Sequence, residues 1–465
     1  MLKISQQLLE QLNNNSVRYL HWKGSNHFTD GFCGKGDVDL LVHEGDKDKL
    51  YALLKALGFL RPETQVFLRH PQIEDWIGMD KPTGTLIHLH LHFRAVFGKQ
   101  LVNEYTFLPY DVCFELAREQ EGCMVQDPAV EFLILLCRIF TGALKNEDKI
   151  KANFSYLRAN TNEADFRLSV TRCGLSGSEA DRLYALFEQE QPDVQPVAGI
   201  LKKLIKKERS FPALRQLKRR LQYETYRRIF PRSLSRFTKK ALSSGGARIA
   251  FVGQDGAGKS TVTRDIGNWL RWKLEVRNFY LGSGEHYRSP QRSLAARLPH
   301  NGVFRPLAAL LVVSDYRRVA RLTLKTLRKT GRYLKNGGIA LFDRYPQAEV
   351  PGINDGAKIR TFYLPKVKGK LPRACVEHAA KREEHYLALA AKIAPDLLIK
   401  LMLPPEESLR RKPEEDPELV AKKHQVIRSL SFGAKDVRTV DVTRPYETEL
   451  VEIKNIIWDH LTGQG

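Results

Sequence analysis

The stretch RIAFVGQDGAGKSTV, starting at Arg248, limits the possible folds more than any other part of the chain. An apolar run leads into a turn with three glycines, and an amphipathic stretch follows. Gly253, Gly258, Lys259 and Ser260 satisfy G-x-x-x-x-G-K-[ST]. Such a turn works where a strand delivers the chain to the start of a helix. Its glycines let backbone N–H groups curl round phosphate oxygens with no Cβ in the way, and the positive end of the helix dipole faces the same anion. The sequence beyond repeats the pattern. RIAFVG, NFYLG, IALFDR, DLLIKLML and VRTVDV read as strands separated by helical stretches, which predicts a parallel sheet covered by helices, an α/β fold.

The loop motif carries its own chemistry. Gly253, Gly256, Ala257, Gly258, Lys259, Ser260 and Thr261 form the phosphate cradle. The lysine reaches the β- and γ-phosphates, and the serine hydroxyl is a ligand for Mg²⁺. Downstream, GGIALFDRYPQ (337–347) is an apolar strand ending in Asp343, a carboxylate that can hold the same metal through water. Hydrolytic members of this class often carry a water-positioning glutamate after that aspartate. Here Arg344 follows. A guanidinium cannot take a proton, but it suits the charge spread over a transferring phosphoryl group. The pair therefore favours phosphoryl transfer over hydrolysis, against the plainer reading of an ion pair at a strand end.

Taken in order, GQDGAGKST, LFDRY and APDLLIKLMLPPEESLRRK resemble the P-loop, the D-R-Y segment and the strand-plus-lid of thymidylate kinase-like nucleotide kinases, over about 245–465. The resemblance implies a P-loop kinase fold with a five-stranded parallel core and ATP as donor. It implies that Asp255 lies near the acceptor and Arg344 near the transferred phosphate. Arg410 and Arg411 fall where lid arginines close over ATP, or else on a solvated helix end. VDVTRPYE (440–447) falls where the adenine is held. The chain departs from the family after the second strand: NFYLGSGEHYRSPQRS (278–293) lacks the arginine- and proline-containing turn that holds the thymidylate phosphate. The chemistry carries over; the thymidylate specificity does not.

Charge is the next constraint. Of the net +22, residues 201–240 contribute 15 Lys/Arg against two Glu, and residues 314–335 eight against one Asp. Such local excess is read as meeting something local and anionic. In 314–335, Arg317, Arg321, Lys325, Arg328, Arg332 and Lys335 recur at helical spacing, opposite Tyr316, Ala320, Thr323 and Leu327. Arg317 and Arg318, in the first turn, are candidate ligands for an anionic acceptor; the distal bases read as a solvated face. In 201–240, Leu201, Leu204, Ile205, Leu214, Leu217 and Leu221 interleave with the bases. This segment is open to three readings: an anionic membrane surface, nucleic-acid phosphates, or an interdomain helix packed by its leucines.

The first half holds a second motif. In HWKGSNHFTDGFCGKGDVDLLV (21–42), Gly24-Ser25 precede Asp37-Val38-Asp39 by eleven residues. This resembles the nucleotidyltransferase signature, a phosphate-cradling G-S turn followed by two metal-binding carboxylates on one strand face. The third carboxylate such enzymes need is missing. Its expected strand, LIHLHLHFRA, presents His88, His90 and His92 on one face instead. In one group of nucleotidyltransferase-like domains this strand reads D-x-H-W, so that His92 matches the histidine and His90 stands for the acid. The three imidazoles suit zinc, iron or nickel, or else are half-buried structural histidines.

At 465 residues the chain is long enough for about two to four domains. The reading is a nucleotidyltransferase-like α+β domain at 1–125, a helical connector with the basic segment at 126–245, and a thymidylate kinase-like P-loop domain at 246–465. The expected function is ATP- and Mg²⁺-dependent phosphoryl transfer, with Lys259, Arg344, Asp255 and Asp343 catalytic, to a nucleotide, phosphorylated sugar or glycan. The rivals are nucleotidyl transfer through Gly24, Ser25, Asp37 and Asp39, and an ATP-gated protein docked on membrane or nucleic acid by 201–240. The six scattered cysteines include no C-x-x-C pair, and no run approaches the roughly 18 apolar residues of a membrane span. The N-terminus reads as an amphipathic helix rather than a signal peptide. The expected setting is the cytoplasm, with peripheral membrane contact as one role of the basic segment. Oligomeric state has no signature in the sequence.

Overall fold

The computed structural model describes residues 1–64, 69–99, 103–189, 193–208, 212–229, 237–282, 289–298 and 304–464. The chain divides into two compact units, 1–236 and 237–465.

In the second unit the five predicted strands form one sheet. Along the sheet they run Val276–Tyr280, Ile339–Asp343, Arg248–Gly253, Leu397–Met402 and Asp436–Asp441. Every neighbouring pair is parallel. The three middle strands are almost wholly buried, which is why they read as unbroken apolar runs rather than alternating ones. In chain order the strands lie second, third, first, fourth, fifth. The connections leave in opposite directions from the first and third strands, which are neighbours. Ligands of open α/β sheets bind at the carboxyl ends of the strands at such a switch point. The glycine loop and Asp343-Arg344 are both found there.

The helix Phe304–Lys335 precedes the Asp343 strand. Ala320, Thr323 and Leu327 are buried, while Arg317, Arg321, Lys325, Arg328, Arg332 and Lys335 are all exposed, as the spacing predicts. Part of the departing segment 278–293, residues 283–288, lies outside the described residues.

The first unit is built on a six-stranded mixed sheet in the order Ile73–Asp80, Thr85–His92, Asp37–Val42, Tyr19–His21, Cys123–Val125 and Arg118–Gln120. Period-two alternation divides its residues between two cores. Val38, Leu40 and Val42 pack with Leu8 and Leu12 of the N-terminal helix Lys3–Asn14. Leu20, Trp22 and Leu41 join the apolar cluster of the helices Pro128–Phe140, Glu147–Ala159, Glu163–Arg172, Gly177–Phe187 and Ala198–Leu204.

The basic segment is not uniform. Leu201, Leu204 and Ile205 are buried in that core, and the strand Ile205–Glu208 pairs with Asn103–Phe107. In the helix Ala213–Ile229, by contrast, Leu214, Leu217 and Leu221 are exposed. Residues 209–211 and 230–236, with Pro231, lie outside the described residues. Among the described residues, no helix is long and apolar enough to cross a membrane.

Candidate functional site

Parallel register pairs Phe251 with Asp343, so the end of the third strand lies beside the root of the loop. Gly253 ends the central strand, where an added Cβ would stand 2.6 Å from the Leu401 carbonyl oxygen. Gly256 and Gly258 adopt left-handed φ of +82° and +78°, the conformation glycine takes at least cost. Gly258 is the N-cap of the helix Lys259–Arg271, and Ala257 is buried under the turn. Ser260 and Thr261 are exposed in the first helical turn.

Lys259 is buried, and its ammonium donates to the carbonyls of Gly253 (3.0 Å) and Gln254 (2.6 Å). Burial, and then the charge of Arg344, pushes its amine down to about 8. The Ser260 hydroxyl donates to Asp343 Oδ2 at 2.5 Å. Among the described residues the other carboxylate oxygen, Oδ1, is buried without a hydrogen-bond partner. A buried carboxylate oxygen is normally satisfied. Ser260 and Asp343 thus form an all-oxygen donor set with spare capacity, which fits a hard cation such as Mg²⁺.

Arg344 sits at φ +71°, rare for a residue with a side chain. Its amide is held by the Phe251 carbonyl at 3.0 Å. The backbone thereby turns the side chain back towards the loop, where the guanidinium meets Asp255 Oδ1 at 3.0 Å and stands 3.7 Å from Asp355. Asp255 is the hub of this end of the sheet. Its carboxylate also lies 3.9 Å from Lys259 Nζ and 2.7 Å from Lys423 Nζ. Burial alone would raise its pKa; Lys259, Lys423 and Arg344 instead hold it well below the usual carboxylate range.

The two lid candidates differ. Arg411 donates to the Gly256 carbonyl at 3.1 Å and the Val442 carbonyl at 3.2 Å, tying the 405–411 helix to the loop and to the start of 440–447. Arg410 projects outward and pairs with Glu407. Arg318 donates to Gln291 at 3.0 Å, while Arg317 is exposed. Among the described residues neither makes a hydrogen bond or ion pair to the loop.

In the first unit, parallel pairing sets His88 beside Asp37 and His90 beside Asp39. The His88 ring is held at both nitrogens, by Asp37 at 2.7 Å and Asp75 at 2.9 Å. His90 meets Asp39 at 2.9 Å and His92 at 3.2 Å. Asp39 also pairs with Lys23 at 2.9 Å. The Gly24-Ser25 turn is engaged by a carboxylate of the chain itself. The amides of Gly24 and Ser25 donate to Glu131 Oε1 at 2.6 and 3.1 Å, and the Ser25 hydroxyl to Oε2 at 2.5 Å. Burial raises the Glu131 carboxyl against these three bonds.

Sequence reasoning missed Lys423, Asp355, Glu131 and Lys23. The only signals were a lone glutamate inside an apolar helical run, AVEFLILLCRIF, and a lysine preceding the Gly-Ser pair.

No protein-family model matches the chain. It is similar to two Escherichia coli proteins named uncharacterized ATP-binding protein. With YghR of strain K12, and with its counterpart in strain O6:H1, it is 29% identical over 228 residues, which is 45% of this chain and 86% of the relative. With YghS of strain K12 it is 28% identical over 213 residues, 42% of this chain and 86% of the relative.

Proposed function

We propose that the chain binds ATP with Mg²⁺ on 253–261 and transfers the γ-phosphoryl group to an acceptor, as a P-loop kinase of the thymidylate kinase-like type. The names of the bacterial relatives support the nucleotide. One observation carries the choice of transfer. The residue after Asp343 is a cation, held in a left-handed backbone conformation and aimed at the loop acid 3.0 Å away.

In this reading Lys259 and Arg344 stabilise charge on the moving phosphoryl group. Ser260 and Asp343 hold Mg²⁺, which when bound neutralises phosphate oxygens. Arg411 carries the lid, while Arg410 stays on its outer face, held by Glu407. Asp255 orients cations and acceptor. With its carboxyl held so low it is a weak proton acceptor, since a general base works best with a pKa near the operating pH. Arg317 and Arg318 take the anionic end of the acceptor, a nucleotide, phosphorylated sugar or glycan. The 1–125 and 126–245 segments select or present that acceptor.

The test is transfer of label from γ-labelled ATP into cell-extract fractions. Lys259→Ala abolishes it with the fold retained. Arg344→Ala lowers kcat by about 10²–10³ while ATP affinity stays within about threefold. Full turnover in either variant would overturn the assignment, as would phosphate release that proceeds equally without acceptor.

A further inference from the structure

Away from the loop, one cluster in the first unit has the dimensions of a metal centre. Asp39 Oδ1, His90 Nδ1 and His92 Nε2 form a triangle with sides of 2.9, 3.2 and 3.5 Å. Tetrahedral donors about 2.0–2.1 Å from a zinc ion stand roughly 3.3 Å apart. The three atoms therefore already have the spacing of one face of such a site. All three residues lie on adjacent paired strands, Asp37–Val42 and Thr85–His92. Rigid elements of that kind hold ligand geometry well. His88 is outside the set, because both its nitrogens are taken by Asp37 and Asp75.

A cation already lies at this triangle. Lys23 Nζ is 2.9 Å from Asp39 Oδ1 and 3.3 Å from His92 Nε2, and it sits 4.5 Å from the centre of the Trp22 ring. The His92 ring is buried, and among the described residues its Nδ1 has no partner. Its polar contacts, to His90, Asp39 and Lys23, run through Nε2, the nitrogen that points into the triangle.

We propose that Asp39, His90 and His92 bind a divalent cation of the zinc class in competition with the Lys23 ammonium, leaving a fourth position for water or an anionic ligand. Two imidazoles and one carboxylate suit zinc or cobalt. Mg²⁺ prefers six oxygens and would be refused. This site is independent of the proposed phosphoryl transfer.

The test is titration of the untagged full chain with Co²⁺, read by its ligand-field absorption. One equivalent should give the intense band of a low-coordinate nitrogen-ligated ion, and Zn²⁺ should abolish it. His90→Ala, at a partly exposed position, should weaken Co²⁺ binding at least tenfold, with His90→Gln as a second variant and a thermal melt to show that each is folded. Lys23→Met should tighten binding at least tenfold. Asp343→Asn, in the other unit, should leave the band unchanged. Absence of the band in both wild type and Lys23→Met would overturn the proposal, as would a band of full strength in folded His90→Ala.

Discussion

Replacing Asp255 by asparagine tests whether the cations around it are arranged for a polyphosphate. The carboxylate lies 3.0 Å from Arg344 and 2.7 Å from Lys423, and 3.9 Å from Lys259. Asparagine keeps the shape and removes the charge, leaving three cations facing one another. Deleting one partner of a fully buried pair costs about 3–5 kcal/mol. Here the side chains of Asp255, Arg344 and Lys423 keep 22%, 27% and 19% exposure, so solvent screening brings the expected loss to about 2 kcal/mol. For a unit of this size that is a fall in Tm of about 4–8 °C. The sign of the pH dependence follows from the depressed carboxyl. The advantage of wild type over the variant is complete above about pH 4 and is lost as pH falls through the folded-state value. ATP·Mg²⁺ supplies the missing negative charge, so the variant should bind it at least as tightly as wild type and recover most of the lost Tm. Thermal melts with and without ATP·Mg²⁺, paired with hydrogen exchange on the peptide spanning 251–271, measure both effects. A variant as stable as wild type would refute the reasoning. So would a destabilised one that ATP fails to restore.

Two further outcomes are expected. The Lys259 amine, pushed down to about 8 by burial and Arg344, grips phosphate only when protonated. ATP affinity by calorimetry should therefore be flat below that pH and weaken above it, at most about tenfold per unit for one linked proton, whereas Lys259→Arg should stay flat. Arg411→Ala removes two bonds from a guanidinium, to the Gly256 and Val442 carbonyls, and should weaken ATP binding about tenfold; Arg410→Ala, exposed beside Glu407, should change it less than about threefold.

The parts of the molecule readable in sequence are those whose physics is local. A glycine turn between an apolar strand and a helix identifies itself, and buried parallel strands such as IALFD and LLIKLM announce their burial by being apolar throughout. Alternation in TLIHLHLH likewise places three histidines on one face. What stayed hidden depends on pairs far apart in the chain. Lys423 reaches Asp255 across 168 positions, and Glu131 meets Ser25 across 106. Neither contact leaves a spacing signal, because the fold alone brings the partners together. The interleaved leucines of 201–240 looked alike in sequence. Only the packing separates the buried Leu201 and Leu204 from the exposed Leu214, Leu217 and Leu221.

The row of bases on the helix Phe304–Lys335 sets a length scale. From Arg317 to Lys335 it runs about 27 Å at 1.5 Å per residue. Mobile ions at cellular ionic strength blur a charge beyond about 8 Å. The two ends of the row are therefore electrically deaf to one another. A compact phosphorylated molecule resting near Arg317 feels that residue and its nearest neighbours and nothing of the bases three turns away. Only an elongated polyanion could add up the whole series.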